Sequence, residues 1–392
     1  MEKYFNTTGL CVESKHYMVN IDNKIKSIKK IIDRGNYFVI NRPRQFGKNT
    51  TLNILRKYLS NEYIVIYTSF EGIGDKSFSE EGLFCNKFLN LIIKSLKRSD
   101  REESEKLKKL CTEVHDFDEL SDVITDFIES LDKEVILIID EVDKSSNNQL
   151  FLSFLGMLRN KYLMSVSGDD ETFKSVVLAG VHDVKTLNLN SPWNIAVDFD
   201  IDMSFDVNEI STMISNYSND YNLNIDIDKI SKEIYFFTSG YPFLVSRICQ
   251  IIDEKLHQDE KRAWTINDIL RSVKLITLES NTLFESIIKN IESNKELYDL
   301  IKRILINGEN IVFNRLDPVI NLGLTYGIFN DIGETVQISN KIFEEILYNY
   351  MVSKLSTKTK DMSLYNFKDS FITDDGGLNM DKVLLKFQQY MK

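Results

Sequence analysis

The sequence predicts an α/β fold with a parallel sheet, because strand-like and helix-like patterns alternate over the first 205 residues. Four short segments are continuously apolar, as expected for strands that are buried on both faces. They are residues 37–41, 64–70, 135–139 and 175–180. A glycine-containing loop and a helical pattern over residues 51–59 connect the first two strands. This order indicates a βαβ unit with parallel strands.

The composition narrows the class of protein. A length of 392 residues predicts two or three domains, and 43% hydrophobic with 27% charged residues is typical of a globular chain. The net charge of -11 gives no general positive surface for nucleic acid. The four cysteines and four histidines show neither a disulfide pattern nor metal-site spacing. With no signal peptide and no apolar run of about 18 residues, we expect a cytoplasmic protein without a membrane segment.

The loop after the first predicted strand has the features that a phosphate site needs. Gly47 permits close backbone approach, the next helix offers N–H donors, and Lys48 supplies positive charge. The usual pattern is G-x-x-x-x-G-K-[ST], but Arg42 replaces the first glycine and Asn49 replaces the Ser or Thr. For two loop residues, Arg44 and Gln45, packing within the loop is an equal alternative. The predicted nucleotide-binding residues of this loop are Arg44, Gln45, Phe46, Gly47, Lys48, Asn49 and Thr50.

Asp140 and Glu141 end the third predicted strand. Asp140 is a candidate Mg²⁺ ligand, with Asn49 as a second candidate. Glu141 is the predicted catalytic carboxylate that polarises the attacking water, together with Lys48 on the phosphates. The alternative is an acidic helix cap. Because ligands bind at the carboxyl ends of parallel strands, the two motifs together predict a site for ATP and Mg²⁺.

Several segments together resemble the bacterial AAA-ATPase-like proteins, which typically carry a PD-(D/E)XK-type nuclease domain at the C terminus. They are residues 4–9, 41–48, 69–72, 135–143, 178–181, 191–194 and 239–244. The resemblance implies a P-loop NTPase sheet with helices on both faces, followed by an all-α lid and a winged-helix domain. The expected boundaries are 1–205 for the ATPase core, 206–300 for the helical lid, 301–351 for the winged helix, and 352–392 for a linker and terminal helix. No carboxylate cluster with a following E-x-K is found in residues 352–392, so the nuclease domain is expected to be missing from this chain.

The resemblance adds further candidate residues. Tyr17 would stack on the adenine, although an aromatic residue at this spacing is more often part of the core. Pro242, in the turn Gly240-Tyr241-Pro242, would contact the nucleotide from the lid, with a plain helix–helix turn as the alternative. His182 and Asp183 follow the fourth predicted strand and are sensor candidates for the γ-phosphate, with a plain loop role as the alternative, and Arg247 is a third sensor candidate.

These observations predict an ATP-binding regulatory switch, and the resemblance implies that it would control a C-terminal nuclease, with defence against foreign DNA as a suggested role. Asn49 is expected to weaken Mg²⁺ binding and hydrolysis, through natural or engineered change, which leaves ATPase activity uncertain. No arginine occurs between Arg159 and Arg247, which argues against an autonomous hexameric motor. The alternative is a non-catalytic module whose winged helix recruits DNA or protein. The sequence leaves open whether the protein forms a homo-oligomer. A small-molecule kinase is a less favoured interpretation, because the predicted lid and winged helix leave no obvious site for a phosphate acceptor.

Overall fold

The computed structural model describes residues 2–111, 113–145, 148–181, 192–330, 333–358 and 379–384. The chain divides into two compact units. The sheet unit consists of Thr8–Val12 and Asn20–Met203, and the helical unit consists of Met1–Thr7, Glu13–Val19 and Ser204–Lys392. The first 19 residues are therefore shared between the units, whereas the sequence assigns all of residues 1–205 to one core.

The sheet unit contains a four-stranded parallel sheet in the order β1-β4-β3-β2. Its strands are β1 (Phe38–Asn41), β2 (Ile64–Ser69), β3 (Val135–Asp140) and β4 (Ser175–Gly180). The four predicted strands and the α/β class are confirmed. Next to β1, on the side away from β4, Val197 forms a single parallel bridge with Phe38. The sequence did not predict this bridge.

Helices cover both faces of the sheet. In the sheet unit they are α1 (Asp22–Asp33), α2 (Lys48–Leu59), α3 (Glu81–Ser99), α4 (Arg101–Leu110), α5 (Phe117–Glu129) and α6 (Gln149–Ser167). On one face, strand residues such as Leu137 and Leu178 pack in a cluster with Phe88 of α3 and Phe154 of α6. The alternate strand residues, such as Ile138, are buried as well, and α1 and α2 bring the apolar stripes that this second face requires. Burial on both faces explains the continuous apolar strands.

The helical unit confirms the helices predicted over residues 206–300, with the expected interruption at residues 239–241. Its helices are α7 (Val207–Asp220), α8 (Ile227–Thr238), α9 (Pro242–Ile251), α10 (Ile266–Leu278), α11 (Thr282–Ser293), α12 (Lys295–Leu305), α13 (Pro318–Thr325) and α14 (Lys341–Lys358). Asp206 and Thr265 each form a capping box at the start of α7 and α10. Such boxes satisfy N–H groups that a helix start would otherwise leave without acceptors.

A small antiparallel arrangement follows α13. Phe329 bridges Ile338, which confirms the pairing of the predicted hairpin, and Val312 bridges Thr335 to add a third segment that the sequence did not predict. The Asn330 N–H donates to the Gln337 carbonyl at 3.0 Å. Two residues of the predicted turn, 331 and 332, lie outside the described residues.

The helix α14 continues to Lys358, seven residues into the segment predicted as a linker over 352–379. The linker prediction is wrong at its start, because no glycine or proline ends the helix and Met351 is buried against the rest of the unit. Residues 380–384 are helical, as predicted for the terminal helix, whose remainder lies outside the described residues. Over the described parts of the chain, every helix is too short or too polar to cross a bilayer.

Candidate functional site

The loop between β1 and α2 forms a tight turn that opens the helix. Gly47 precedes α2 with φ of 76°, a left-handed conformation that favours glycine, and Gln45 has φ of 57°. Among the described residues, no side chain caps the start of α2, in contrast to α7 and α10. The N–H groups of its first turn, together with the helix dipole, therefore provide an anion site at the position of Lys48.

The Lys48 ammonium lies close to two carboxylates, that of Asp140 at the end of β3 and that of Glu141, the next residue. Its Nζ is 3.6 Å from Asp140 Oδ1 and 3.7 Å from Glu141 Oε1. Lys48 is 8% exposed and Asp140 is 2% exposed, so these charges are withdrawn from water. Both distances exceed a hydrogen bond, and Lys48 forms none with the residues that the structure describes. A buried ammonium without hydrogen bonds is costly, so this arrangement suits an anionic ligand.

Glu141 has an unusual backbone. Its φ of 56° is left-handed, which costs energy in a residue other than glycine and is often found at functional sites. The side chain of Glu141 is about one-third exposed, in contrast to that of Asp140. The structure thus brings the predicted phosphate-binding lysine next to both predicted carboxylates at one edge of the sheet, as parallel strands require.

Asp140 has a third neighbour that the sequence did not predict. The Tyr67 hydroxyl of β2 donates to Asp140 Oδ2 at 3.0 Å, and the Glu141 N–H donates to Asp140 Oδ1 at 2.8 Å. Burial, and then the charge of Asp140, raise the pKa of Tyr67 well above its usual value, so the hydroxyl remains a donor at neutral pH. Ser69 pairs with Asp140, so Tyr67 lies on the same sheet face two residues earlier.

The two residues after Lys48 face different surroundings. Asn49 is exposed, whereas the Thr50 hydroxyl accepts a hydrogen bond from the Cys11 N–H at 3.2 Å. Consecutive helical residues point about 100° apart, so Thr50 is not expected to take the place of a Ser or Thr at position 49. The predicted role of Asn49 as a metal ligand stays a prediction.

Arg42 replaces the usual first glycine and is anchored within the sheet unit. Its guanidinium donates to the carbonyls of Asn41 at 2.7 Å and Ile201 at 2.6 Å, and lies 5.1 Å from the centre of the Phe199 ring. These contacts explain how a long side chain is accommodated at this end of the loop. Of the other loop residues, Arg44 and Gln45 are exposed and Phe46 is half-buried.

Asp143 links the turn after β3 to the end of β4. The Val181 N–H donates to both of its carboxylate oxygens, at 2.8 and 2.7 Å. A Cβ atom on Gly180 would lie only 2.4 Å from Asp143 Oδ1, so this contact requires glycine. The sensor candidates His182 and Asp183 follow directly, but they lie outside the described residues.

The remaining candidates belong to the helical unit. Tyr17 is buried, its hydroxyl donates to Asp220 Oδ2 at 3.0 Å, and its ring packs against Phe5. These contacts favour the alternative of a core aromatic residue. Pro242 begins α9, and Arg247 forms an ion pair with Glu279 in which Nε lies 3.0 Å from Oε1. Their predicted nucleotide contacts stay predictions.

The site suits Mg²⁺ bound together with a nucleotide. No group of three or more His, Cys, Asp or Glu among the described residues is arranged to hold a metal ion. Magnesium is commonly bound by one or two carboxylates together with substrate phosphates and water. Asp140 and Glu141 provide two carboxylates beside the start of α2, and Lys48 provides the charge for phosphate.

The parallel sheet, the glycine turn before α2 and the Lys48–Asp140 pair define a P-loop nucleotide-binding ATPase module. The chain matches the AAA-like domain family over residues 5–349 and belongs to that family. A search of curated proteins finds no match.

Solved structures support this fold. The Walker-type ATPase PABY2304 of Pyrococcus abyssi is similar with a TM-score of 0.55 and 13% identity, covering 88% of this chain and 99% of that one. The RuvB Holliday junction branch migration motor of Thermotoga maritima gives a TM-score of 0.42 and 14% identity, covering 84% and 95%. The ORC1 protein of Aeropyrum pernix, solved in complex with DNA, gives 0.36 and 10%, covering 86% and 94%. The first similarity supports the fold, and the two lower scores carry no argument.

Proposed function

We propose that this protein is a regulatory switch that binds ATP with Mg²⁺ and hydrolyses it slowly. The observation that carries this proposal is Lys48, a buried ammonium without hydrogen bonds to the described residues, 3.6 and 3.7 Å from two carboxylates. It begins a helix whose first turn has no capping side chain. A triphosphate would supply the hydrogen-bond acceptors that this ammonium lacks.

Each residue of the site has a distinct role in this proposal. Lys48 and the N–H groups of the loop would bind the phosphates, Asp140 would hold Mg²⁺, and Glu141 would polarise the attacking water. Mg²⁺, when bound, would supply positive charge against the charge that develops on the phosphate oxygens. Changes in nucleotide state would favour one conformation of the protein over another, as in other nucleotide switches.

Calorimetry with ATP and ADP tests the binding step. We expect Lys48→Ala to weaken ATP binding at least about 100-fold, since it removes a charge-assisted contact at a buried site. Lys57→Ala is the matched control, because Lys57 lies on the same helix but is exposed. Unchanged ATP affinity in Lys48→Ala, or no binding by the wild type, would reject the proposal.

Asn49 is proposed to slow hydrolysis, because its amide replaces the hydroxyl that usually coordinates Mg²⁺ at this position. The exposed Asn49 side chain leaves room for substitution without repacking the core. We expect Asn49→Thr to raise the ATP turnover number about tenfold, in line with the restored ligand. Equal turnover in the two proteins would contradict this part of the proposal.

Control of a C-terminal PD-(D/E)XK nuclease, and a role in defence against foreign DNA, are proposed from the resemblance to AAA-ATPase-like proteins. The test is to sequence the encoding gene downstream of the Lys392 codon, to express the full product of its reading frame, and to assay DNA cleavage by that protein with and without ATP. Cleavage that is independent of both ATP and Lys48 would contradict nuclease control. Equal phage survival with the wild-type and Lys48→Ala genes would contradict the defence role.

A second candidate function is a non-catalytic module that recruits DNA or protein. The observation that favours it is the antiparallel pairing of Val312 with Thr335 and of Phe329 with Ile338 beside α11, α12 and α13, which is typical of a winged helix. DNA binding should weaken steeply with salt, because phosphate contacts release counterions. A flat salt profile would favour a protein partner, and α13 itself contains no charged residue.

A further inference from the structure

Tyr67 contacts the proposed metal-binding carboxylate directly. Its hydroxyl donates to Asp140 Oδ2 at 3.0 Å, whereas Asp140 Oδ1 accepts from the Glu141 N–H at 2.8 Å and faces Lys48. Each carboxylate oxygen of Asp140 therefore has its own donor. Two donors on opposite oxygens fix the rotation of the carboxylate about its Cβ–Cγ bond, which a single donor would leave free.

The phenol of Tyr67 is itself held in place. The guanidinium of Arg56, on α2, lies 5.7 Å from the centre of the Tyr67 ring. The Tyr67 N–H donates to the Ser95 hydroxyl of α3 at 2.9 Å, at the edge of the sheet where β2 is the last of the described strands. The contacts with α2 and β3 thus position the phenol, and the contact with α3 anchors the backbone that carries it.

We propose that Tyr67 is a positioning residue that orients Asp140 for Mg²⁺ when a nucleotide is bound. This inference rests on the proposed function. Donors to a metal-binding carboxylate set its orientation, and their loss commonly lowers metal affinity. The effect should be large in this protein, because Asn49 replaces the hydroxyl ligand that would otherwise share the metal. Tyr67 contacts neither phosphate nor water in this role and acts through Asp140.

The test measures how Mg²⁺ changes the affinity for a fluorescent ATP analogue, without any measurement of turnover. In EDTA, we expect wild type and Tyr67→Phe to bind the analogue equally, because Lys48 and the loop N–H groups are intact. In a Mg²⁺ titration, we expect the half-saturating concentration to rise about tenfold in Tyr67→Phe. Arg56→Met keeps the Tyr67 hydroxyl but removes the cation over the Tyr67 ring. This substitution should raise the half-saturating Mg²⁺ concentration about threefold.

The chain offers a matched control. Tyr63, also near the sheet edge, donates from its hydroxyl to the exposed carboxylate of Asp33 at 2.8 Å, so Tyr63→Phe removes the same kind of hydrogen bond away from the site. It should leave the Mg²⁺ titration unchanged. A Tyr67→Phe titration identical to wild type, with ATP binding intact, would overturn the role of Tyr67 alone. A wild type that fails to bind the analogue at all would instead overturn the proposed function.

Discussion

Two buried lysines of the sheet unit have opposite surroundings. Lys161, on α6, is 1% exposed, and its Nζ donates to Asp170 Oδ2 at 2.7 Å, to Thr125 Oγ1 at 2.6 Å and to the Ser121 carbonyl at 3.2 Å. Lys48 is 8% exposed, and its two neighbouring carboxylates stay 3.6 and 3.7 Å away. The Lys161 ammonium has a full set of acceptors, and the Lys48 ammonium has none within hydrogen-bond distance among the residues that the structure describes.

The difference separates a charge that holds the fold together from a charge that is available to a ligand. A buried ion is tolerated when hydrogen bonds and an opposite charge replace its water. Lys161 meets this condition within the protein, so its removal should weaken folding. Lys48 meets it only in part, so its removal should affect ligand binding far more than folding. Substituting both lysines by methionine, which has a similar length but no charge, tests this distinction.

The largest expected effect is on stability. Lys161→Met leaves the carboxylate of Asp170 without its cation in a largely buried position, and breaking such a pair costs about 3 kcal/mol. For a unit of this size we expect the Tm of the sheet unit to fall by roughly 6–12 °C. Thermal unfolding followed by circular dichroism measures the change.

The control for this experiment replaces both partners. Lys161→Met combined with Asp170→Leu removes the two charges together, so most of the lost Tm should return. The Lys232–Asp228 pair, exposed on both sides, offers a second comparison, because Lys232→Met should shift the Tm very little. A Lys161→Met protein as stable as wild type would show that its hydrogen bonds contribute nothing net.

The next effect concerns ligand-induced stability. At an ATP concentration of about 100 times the Kd, binding should stabilise the wild type by about 2.7 kcal/mol. Lys48→Met should lose nearly all of this shift, because the phosphates lose their cation, whereas Lys161→Met should retain it from a lower starting Tm. Differential scanning fluorimetry with and without Mg²⁺–ATP measures both shifts. If Mg²⁺–ATP raised the Tm of Lys48→Met as much as that of the wild type, the proposed difference between Lys48 and Lys161 would be wrong.

The four strands were predictable because each is an uninterrupted apolar run that parallel strands between helices require. The bridge between Phe38 and Val197 was not, since one residue pair leaves no periodic pattern. The third segment of the antiparallel arrangement was missed for the same reason, and Val312 is also exposed. Isolated bridges depend on what the folded chain brings alongside, which local sequence does not record.

The site shows the same limit. Gly47, Lys48, Asp140 and Glu141 were predictable because their roles follow from position at a strand end or helix start. The contact of Tyr67 with Asp140 depends on the register that pairs Ser69 with Asp140 across two strands far apart in sequence. Predicting this contact would also have required the order of the strands, which places β3 beside β2.

A smaller effect on stability is expected at Gly180. A new Cβ would lie 2.4 Å from Asp143 Oδ1, so Gly180→Ala should displace this carboxylate from the Val181 N–H and leave that donor unpaired. We expect a loss of about 2 kcal/mol, measured by thermal unfolding. This result would show that Asp143, although it lies near the proposed nucleotide site, stabilises the fold as Lys161 does. In an Asp143→Ala background, where no carboxylate remains to be displaced, Gly180→Ala should add little further loss, and a full further loss of about 2 kcal/mol would contradict displacement as the cause.

The smallest expected change is the sharpest test of the comparison. Without nucleotide, Lys48→Met should alter the free energy of unfolding by less than about 1 kcal/mol. The lost attraction to Asp140 and Glu141 is offset by the removed cost of burying an ammonium that has no hydrogen bond to the described part of the chain. The measurement is thermal unfolding of nucleotide-free protein beside Lys161→Met. A loss near that of Lys161→Met would show that Lys48 is paired for the fold. The observation that carries the proposed function would then lose its force, since the ammonium would already be satisfied before any phosphate arrives.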